Sequence, residues 1–249
     1  MIERWKFLKE GHLSRHAIAV LAALFVVFLI AMFPLRIALG WAGAGRGRVT
    51  AQAVQGSIWS GRIGALNVGP LPLGTVDAGL KPLPLLLGRA EVWVERSAGA
   101  NEEPFRAIAS GSGGDLSLRH VNGTLPLAGT AGALPVDAVG FSEFAIEMRG
   151  GKCESAEGTV SLRIAPVSAL LPDALSLSGQ ARCQDGALAV PMRGPTGMEQ
   201  LLFKAQGDGK WTADLVLTGL PVEVSGPLLD MGFSARGGGG IGLRAGGSL

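Results

Sequence analysis

In LLFKAQGDGKWTADLVL, residues 201–217, apolar side chains recur at every second position on both sides of a Gly-Asp-Gly-Lys step. Leu201, Phe203 and Ala205 lead into Gly207-Asp208-Gly209-Lys210, and Trp211, Ala213, Leu215 and Leu217 lead out. A period of two places these residues on one face of paired strands, and Asp-Gly supplies the positive-φ positions that a tight hairpin needs. The same alternation appears at Val76, Ala78 and Leu80, at Val92 and Val94 between Glu91 and Glu95, at Phe144, Ile146 and Met148, and at Val160, Leu162 and Ile164. Asn122-Gly123 and Asp185-Gly186 repeat the turn chemistry. Short strands joined by turns, rather than by crossover helices, predict a mainly β chain. Its sheet is antiparallel and curved, and a sandwich, a partial barrel and one long curved sheet all fit the pattern. Gly61, Gly64 and Gly179 within these strands suggest bulges and strong curvature. Helical patterns downstream shrink to one-turn candidates at 82–88 and 166–171.

Ahead of the strands lies a different pattern. From Ala17 to Phe33 the chain reads AIAVLAALFVVFLIAMF, and the apolar character continues past Pro34 and Arg36 to Leu39. A helix over 17–39 would reach about 30 Å, near the hydrocarbon thickness of a bilayer, so we read it as a single membrane span. Arg4, Lys6, Lys9 and Arg15 precede it against only Glu3 and Glu10. That bias predicts residues 1–16 in the cytoplasm and the bulk of the chain, after Gly40, outside. Residues 40–48 then read as a flexible linker, 49–233 as the β-rich domain, and 234–249, with its run of glycines, as a disordered tail. The competing reading is a cleaved signal peptide, since Ala42-Gly43-Ala44 has the small residues of a processing site. The length of the apolar run and the bulk of Trp41 favour a retained anchor.

Composition narrows the function classes. The chain has 249 residues, including 39 Gly, 14 Pro and no Tyr, with 17% charged residues and a net charge of +2. So many glycines and prolines exclude a coiled coil or a large helical enzyme, and the balanced charge offers no field for a nucleic acid. The two cysteines, Cys153 and Cys183, both fall in the external part. An oxidising compartment favours pairing, worth about 3–4 kcal/mol in loop-closure entropy, with two buried free thiols as the alternative.

A search for chemistry returns no catalytic, cofactor or metal set. His120 stands alone in a strand without a nucleophile elbow, and Glu102-Glu103 sit beside Pro104 in a loop. His12 and His16 have helical ligand spacing but no third partner. Gly43, Gly45 and Gly47, like Gly111 to Gly114, precede strands rather than the helix N-terminus a phosphate cradle needs. The Asn122-Gly123-Thr124 sequon reads as incidental.

One segment is specific. Val54-Gln55-Gly56-Ser57-Ile58-Trp59-Ser60-Gly61 follows the apolar run by a short linker, and Leu80-Lys81-Pro82-Leu83-Pro84-Leu85-Leu86-Leu87-Gly88 follows about twenty residues later. This pair resembles the protein N family of the type II secretion system, whose members carry V-x-G-x-[IV]-W-S-G and then W-x-L-x-P-x-x-L-L-x-G. Leu80, Pro82, Leu85, Leu86 and Gly88 hold their places, while Ala78 stands where the family has Trp. The cysteine pair also looks like that of the family. The resemblance implies a single-pass inner-membrane component with a periplasmic β-rich domain, no catalytic site, and other type II secretion proteins as partners. Val54, Gly56, Ile58, Trp59, Ser60, Gly61, Leu80, Pro82, Leu86 and Gly88 are then the candidate partner-binding motif. Trp59 by itself reads equally as a core aromatic. Two other readings stand beside the secretion accessory. One is a lipid carrier similar to the AsmA type, with an acyl chain in an apolar groove. The other is a membrane-tethered hydrolase, for which the nucleophile, base and orienter are missing.

Overall fold

A computed structural model describes residues 15–41, 49–69, 71–99, 103–112, 115–127, 136–166, 174–230 and 232–248. Two helices come first, α1 (Arg15–Ala31) and α2 (Leu35–Trp41). Strands β1 (Val49–Thr50), β2 (Ala53–Gly56), β3 (Gly61–Val68) and β4 (Leu71–Leu80) follow, then the short helix α3 (Pro82–Leu86). Next are β5 (Ala90–Arg96), β6 (Phe105–Ser112), β7 (Asp115–Pro126), β8 (Val136–Arg149), β9 (Lys152–Ile164) and β10 (Leu175–Gln180). The chain finishes with β11 (Arg182–Gln184), β12 (Ala187–Arg193), β13 (Glu199–Ala205), β14 (Lys210–Leu217), α4 (Val222–Asp230), β15 (Ser234–Ala235) and β16 (Ile241–Ser248). The strands form one 16-stranded sheet in which almost every strand pairs with its neighbour in sequence. All the pairings are antiparallel, and the path runs from β1 to β15 without closing. Of the three architectures the alternation allowed, this is the long curved sheet.

Alternation builds its core. Phe144 and Ile146 of β8, Val160 and Ile164 of β9, Leu177 of β10, Val190 of β12 and Leu215 of β14 are buried in one contiguous cluster, joined by Leu228 of α4. A flat sheet would leave that face open to water, whereas twist and bulges curve a sheet toward its own face. The bulges fall where β3 meets β4, where β7 meets β6 and β8, and where β8 meets β9. Ala65, His120 and Glu143 adopt positive φ at these irregularities. A smaller cluster of Leu35, Ile63, Leu66, Val76 and Ala78 lies at the N-terminal end.

The hairpin over 201–217 forms as the alternation predicts, with Leu201 opposite Leu215, Phe203 opposite Ala213, and the Phe203 and Trp211 rings stacked at 6.2 Å. Asp185-Gly186 also turns, at φ of 54° and 74°. Asn122-Gly123 does not. It lies inside β7, where Asn122 Oδ1 accepts from the Glu143 amide at 2.8 Å and Gly123, at φ 117°, leaves no room for a Cβ against the Pro104 carbonyl. A glycine turn does occur at Gly150-Gly151, between β8 and β9. The expectation of a disordered tail over 234–249 is also corrected: β15 and β16 occupy it, and Ile241, Leu243 and Ala245 face Leu217, Leu215 and Ala213 across β14.

The expected single helix over 17–39 is broken. Pro34 has no N–H to continue the ladder, and α1 ends at Ala31 before α2 begins at Leu35. No helix among the described residues is long and apolar enough to cross a membrane by itself. The apolar side chains of α1 are nonetheless exposed from Ile18 to Ile30. The turn expected at 82–88 is α3, whereas 166–171 lies mostly outside the described residues, as do residues 1–14 and most of the 40–48 linker.

Candidate functional site at the helix–sheet junction

The segment from Val54 to Gly61 splices the helices to the sheet. A helix leaves its last carbonyls without partners, and here the loop supplies donors. The Trp59 indole Nε1 donates to the Ile30 carbonyl at 3.0 Å, and the Ile58 amide donates to the Phe33 carbonyl at 3.0 Å. Ser57 forms an antiparallel bridge with Pro34. On the other side of the loop the Leu80 amide donates to the Ile58 carbonyl at 2.8 Å, so three stretches of backbone meet around Ile58. The loop is closed by the Ser57 amide on the Ser60 carbonyl at 3.1 Å.

Close approach explains the residue types. Gly56 has φ 91°, and a Cβ there would meet the Ser60 carbonyl at 2.7 Å. Gly61 lies under the Leu35 side chain, which with Leu39 one turn later packs α2 onto Ile63, Leu66, Val76 and Ala78. Gly79 is tighter still: a Cβ would come within 2.1 Å of the Trp59 carbonyl oxygen. Arg62 and Asp77 pair across β3 and β4 through two hydrogen bonds of 2.8 and 3.1 Å. The Arg62 guanidinium holds the Asp77 carboxyl below its usual range.

The second motif begins where the first ends. Leu80 is bonded to Ile58, and the chain then rises into α3 and folds back at Gly88, whose amide bonds to the Leu85 carbonyl at 3.0 Å. Lys81 closes the base, with its amide on the Glu91 carbonyl at 2.9 Å and its ammonium on the Glu91 carboxylate. Leu83, Leu86 and Leu87 stand 75%, 83% and 81% exposed on this knuckle. The structure therefore brings both halves of the predicted motif to one junction, with the buried part around Gly61 and Val54 and the exposed part at Leu86 and its neighbours.

The family model of type II secretion system (T2SS) protein N matches residues 47–238, from just before β1 to beyond β15. The chain belongs to the type II secretion system protein N family. No curated protein and no solved structure matches the chain significantly. Membership makes it a type II secretion component, and the matched residues take in both motifs and both cysteines.

In this protein N family member Cys153 and Cys183 form a disulfide with Cα atoms 5.5 Å apart, tying β9 to β11. The other singled-out residues are dispersed. His120 is exposed on β7, in an open polar cleft with Arg119, Glu143, Glu147 and Glu157. Glu147 and Ala145 of this cleft alternate with the buried Phe144 and Ile146, so it lies on the strand face opposite the core cluster. No group of His, Cys, Asp or Glu able to hold a metal ion occurs among the described residues. Glu103 contributes only its carbonyl, to Arg96, while Glu102 and His12 lie outside the described residues.

Arg96 itself escaped the sequence reading. It is 4% exposed, and its Nε, Nη1 and Nη2 donate to the carbonyls of Glu103, Leu73 and Thr124 at 2.8, 2.9 and 2.6 Å. The guanidinium thus ties β4 and β7 to the chain entering β6. Its signal was parity: Arg96 shares the even positions of Val92 and Val94, so the alternation already pointed it inward.

Proposed function

We propose that this chain is a non-enzymatic accessory of type II secretion, held in the bacterial inner membrane by the apolar segment 17–39 that takes in most of α1, and that it supports export of folded periplasmic proteins across the outer membrane. The family match over residues 47–238 carries this reading. The geometry supports it: α1 exposes an apolar surface of the kind a bilayer covers, and basic residues precede it in the sequence. In this reading the N-terminus is cytoplasmic and the sheet is periplasmic. The disulfide is consistent with an oxidising compartment.

The sheet engages other secretion components near Ser57, Ser60 and Arg62, where polar side chains lie beside the junction, and the Trp59 loop holds that surface at a fixed distance from the membrane. Deleting the gene in a strain with a complete secretion apparatus should leave folded exoprotein in the periplasm. The full chain should restore export, and a chain lacking residues 15–31 should not. Undiminished export from the deletion strain would overturn the proposal. Alkaline phosphatase fused after Leu249 should be active, and an inactive fusion would reverse the topology.

A further inference from the structure

We infer that the Pro82–Leu87 knuckle inserts into the lipid surface beside α1, giving the sheet a second membrane contact. This rests on the reading of α1 as the membrane anchor. The exposed apolar surface of α1 runs on to Met32, 63% exposed, and the very next carbonyl, that of Phe33, is bonded to the sheet through Ile58. No polar spacer separates hydrocarbon from sheet, so the rim at this junction meets the headgroups. Leu80 is bonded to Ile58, and Leu83 is three residues on; strand spacing and chain reach place it within about 20 Å of Phe33.

The knuckle has the chemistry of an interfacial anchor. Leu83, Leu86 and Leu87 project apolar side chains that no part of the sheet covers. They are held rigidly, by Pro82 and Pro84, by the Leu87 and Arg89 amides on the Pro84 carbonyl at 3.0 Å, and by the Lys81–Glu91 clamp at the base. Exposed leucines that are also pre-ordered lose little conformational freedom on insertion. Arg89 follows them and is exposed, as is Arg36 on α2, so cationic heads are available to phosphate groups as the leucines enter the acyl boundary.

The test uses the full chain in inner-membrane vesicles with a photoreactive residue at one of three sites, Leu86→benzoylphenylalanine, Phe25→benzoylphenylalanine or Met198→benzoylphenylalanine. Met198 is half-exposed at the distant turn between β12 and β13. After irradiation, adducts are identified by mass. The inference predicts phospholipid adducts from Leu86 and Phe25 and none from Met198. Lipid capture at Phe25 but not at Leu86 overturns the knuckle while leaving the anchor intact. A protein adduct replacing lipid at Leu86 also overturns it and makes the knuckle a docking surface for that partner. No lipid at either site removes the anchor reading as well.

Discussion

Strands β12 to β16 bury Leu201, Leu215, Leu217 and Ile241 by strict alternation, whereas β2 to β4 bury little beyond Ile63, Leu66, Val76 and Ala78. The first region is held by side-chain burial. The second is held by backbone: carbonyls of α1 and its exit capped by the Trp59 loop, and glycines that let chains approach where no side chain fits. Burial makes a region stable but indifferent to its surroundings. Backbone splicing fixes an orientation, here that of the helices relative to the sheet.

Arg96 ties the second region, through β4, to β7 and the chain entering β6, and breaking it should have the largest effect. Arg96→Met takes the donor away from the half-buried Leu73 and Thr124 and from the exposed Glu103, and at about 1–3 kcal/mol for a buried unpaired group we expect a loss of roughly 2–5 kcal/mol. Urea unfolding followed by tryptophan fluorescence would measure it. The loss should be local first, with faster hydrogen exchange in β4 to β7 than in β12 to β16. A single transition at the parent midpoint would show that the clamp carries nothing.

Removing the disulfide should spare the junction. The bond encloses a sequence separation of 30, and a Cys153→Ala, Cys183→Ala variant should lose about 3–4 kcal/mol by loop-closure entropy. Hydrogen exchange should rise in β9 to β12 and stay at parent levels in β2 to β4. Equal loss of protection in both regions would mean that the sheet behaves as one cooperative unit.

The difference between the regions also explains what could be read in advance. Hairpin 201–217 and the buried faces of β8 and β9 follow from side-chain period, which is local. The glycine-rich β16 was missed because Gly242, Gly246 and Gly247 erase half the pattern, and its burial depends on β14 lying alongside. Asn122-Gly123 has the composition of a turn, yet the long pairing of β7 with β8 draws it into a strand, a choice made by tertiary contacts. The motif around Trp59 could be located but not interpreted. Its partners, Ile30, Phe33 and Leu80, lie on separate stretches, and no periodicity announces a carbonyl cap. Arg96 was legible by parity and passed over because a charge is expected to face water.

Trp59→Phe sharpens the comparison at smaller cost. It keeps an aromatic side chain, though a smaller one, and deletes the N–H that bonds to the Ile30 carbonyl, so we expect about 1 kcal/mol for the hydrogen bond. The change should be local: faster exchange at the amides of Ile58 and Leu80 with an unchanged urea midpoint for the main core. A shift of that midpoint equal to the local change would place Trp59 in the common core after all.

The smallest expected effect comes from two surface carboxylates, one in each region. Arg62 lowers the Asp77 pKa through their hydrogen bond, and Lys210 lowers that of Asp208 at the hairpin tip by the same means, each from the ordinary value of 3.8. A carboxyl whose folded pKa is depressed binds fewer protons when folded, so its contribution is present above the unfolded pKa and is lost as pH falls through the folded one. Asp77→Asn and Asp208→Asn should therefore each be slightly less stable than the parent at neutral pH. The gap should close as pH drops below the usual carboxylate range, and both pairs should weaken with salt because they are exposed. Their location separates them. Asp77→Asn should loosen exchange in β3 and β4, where register fixes the junction, whereas Asp208→Asn should fray only a hairpin tip. A gap that persists in strong acid would trace the Asn effects to packing rather than charge.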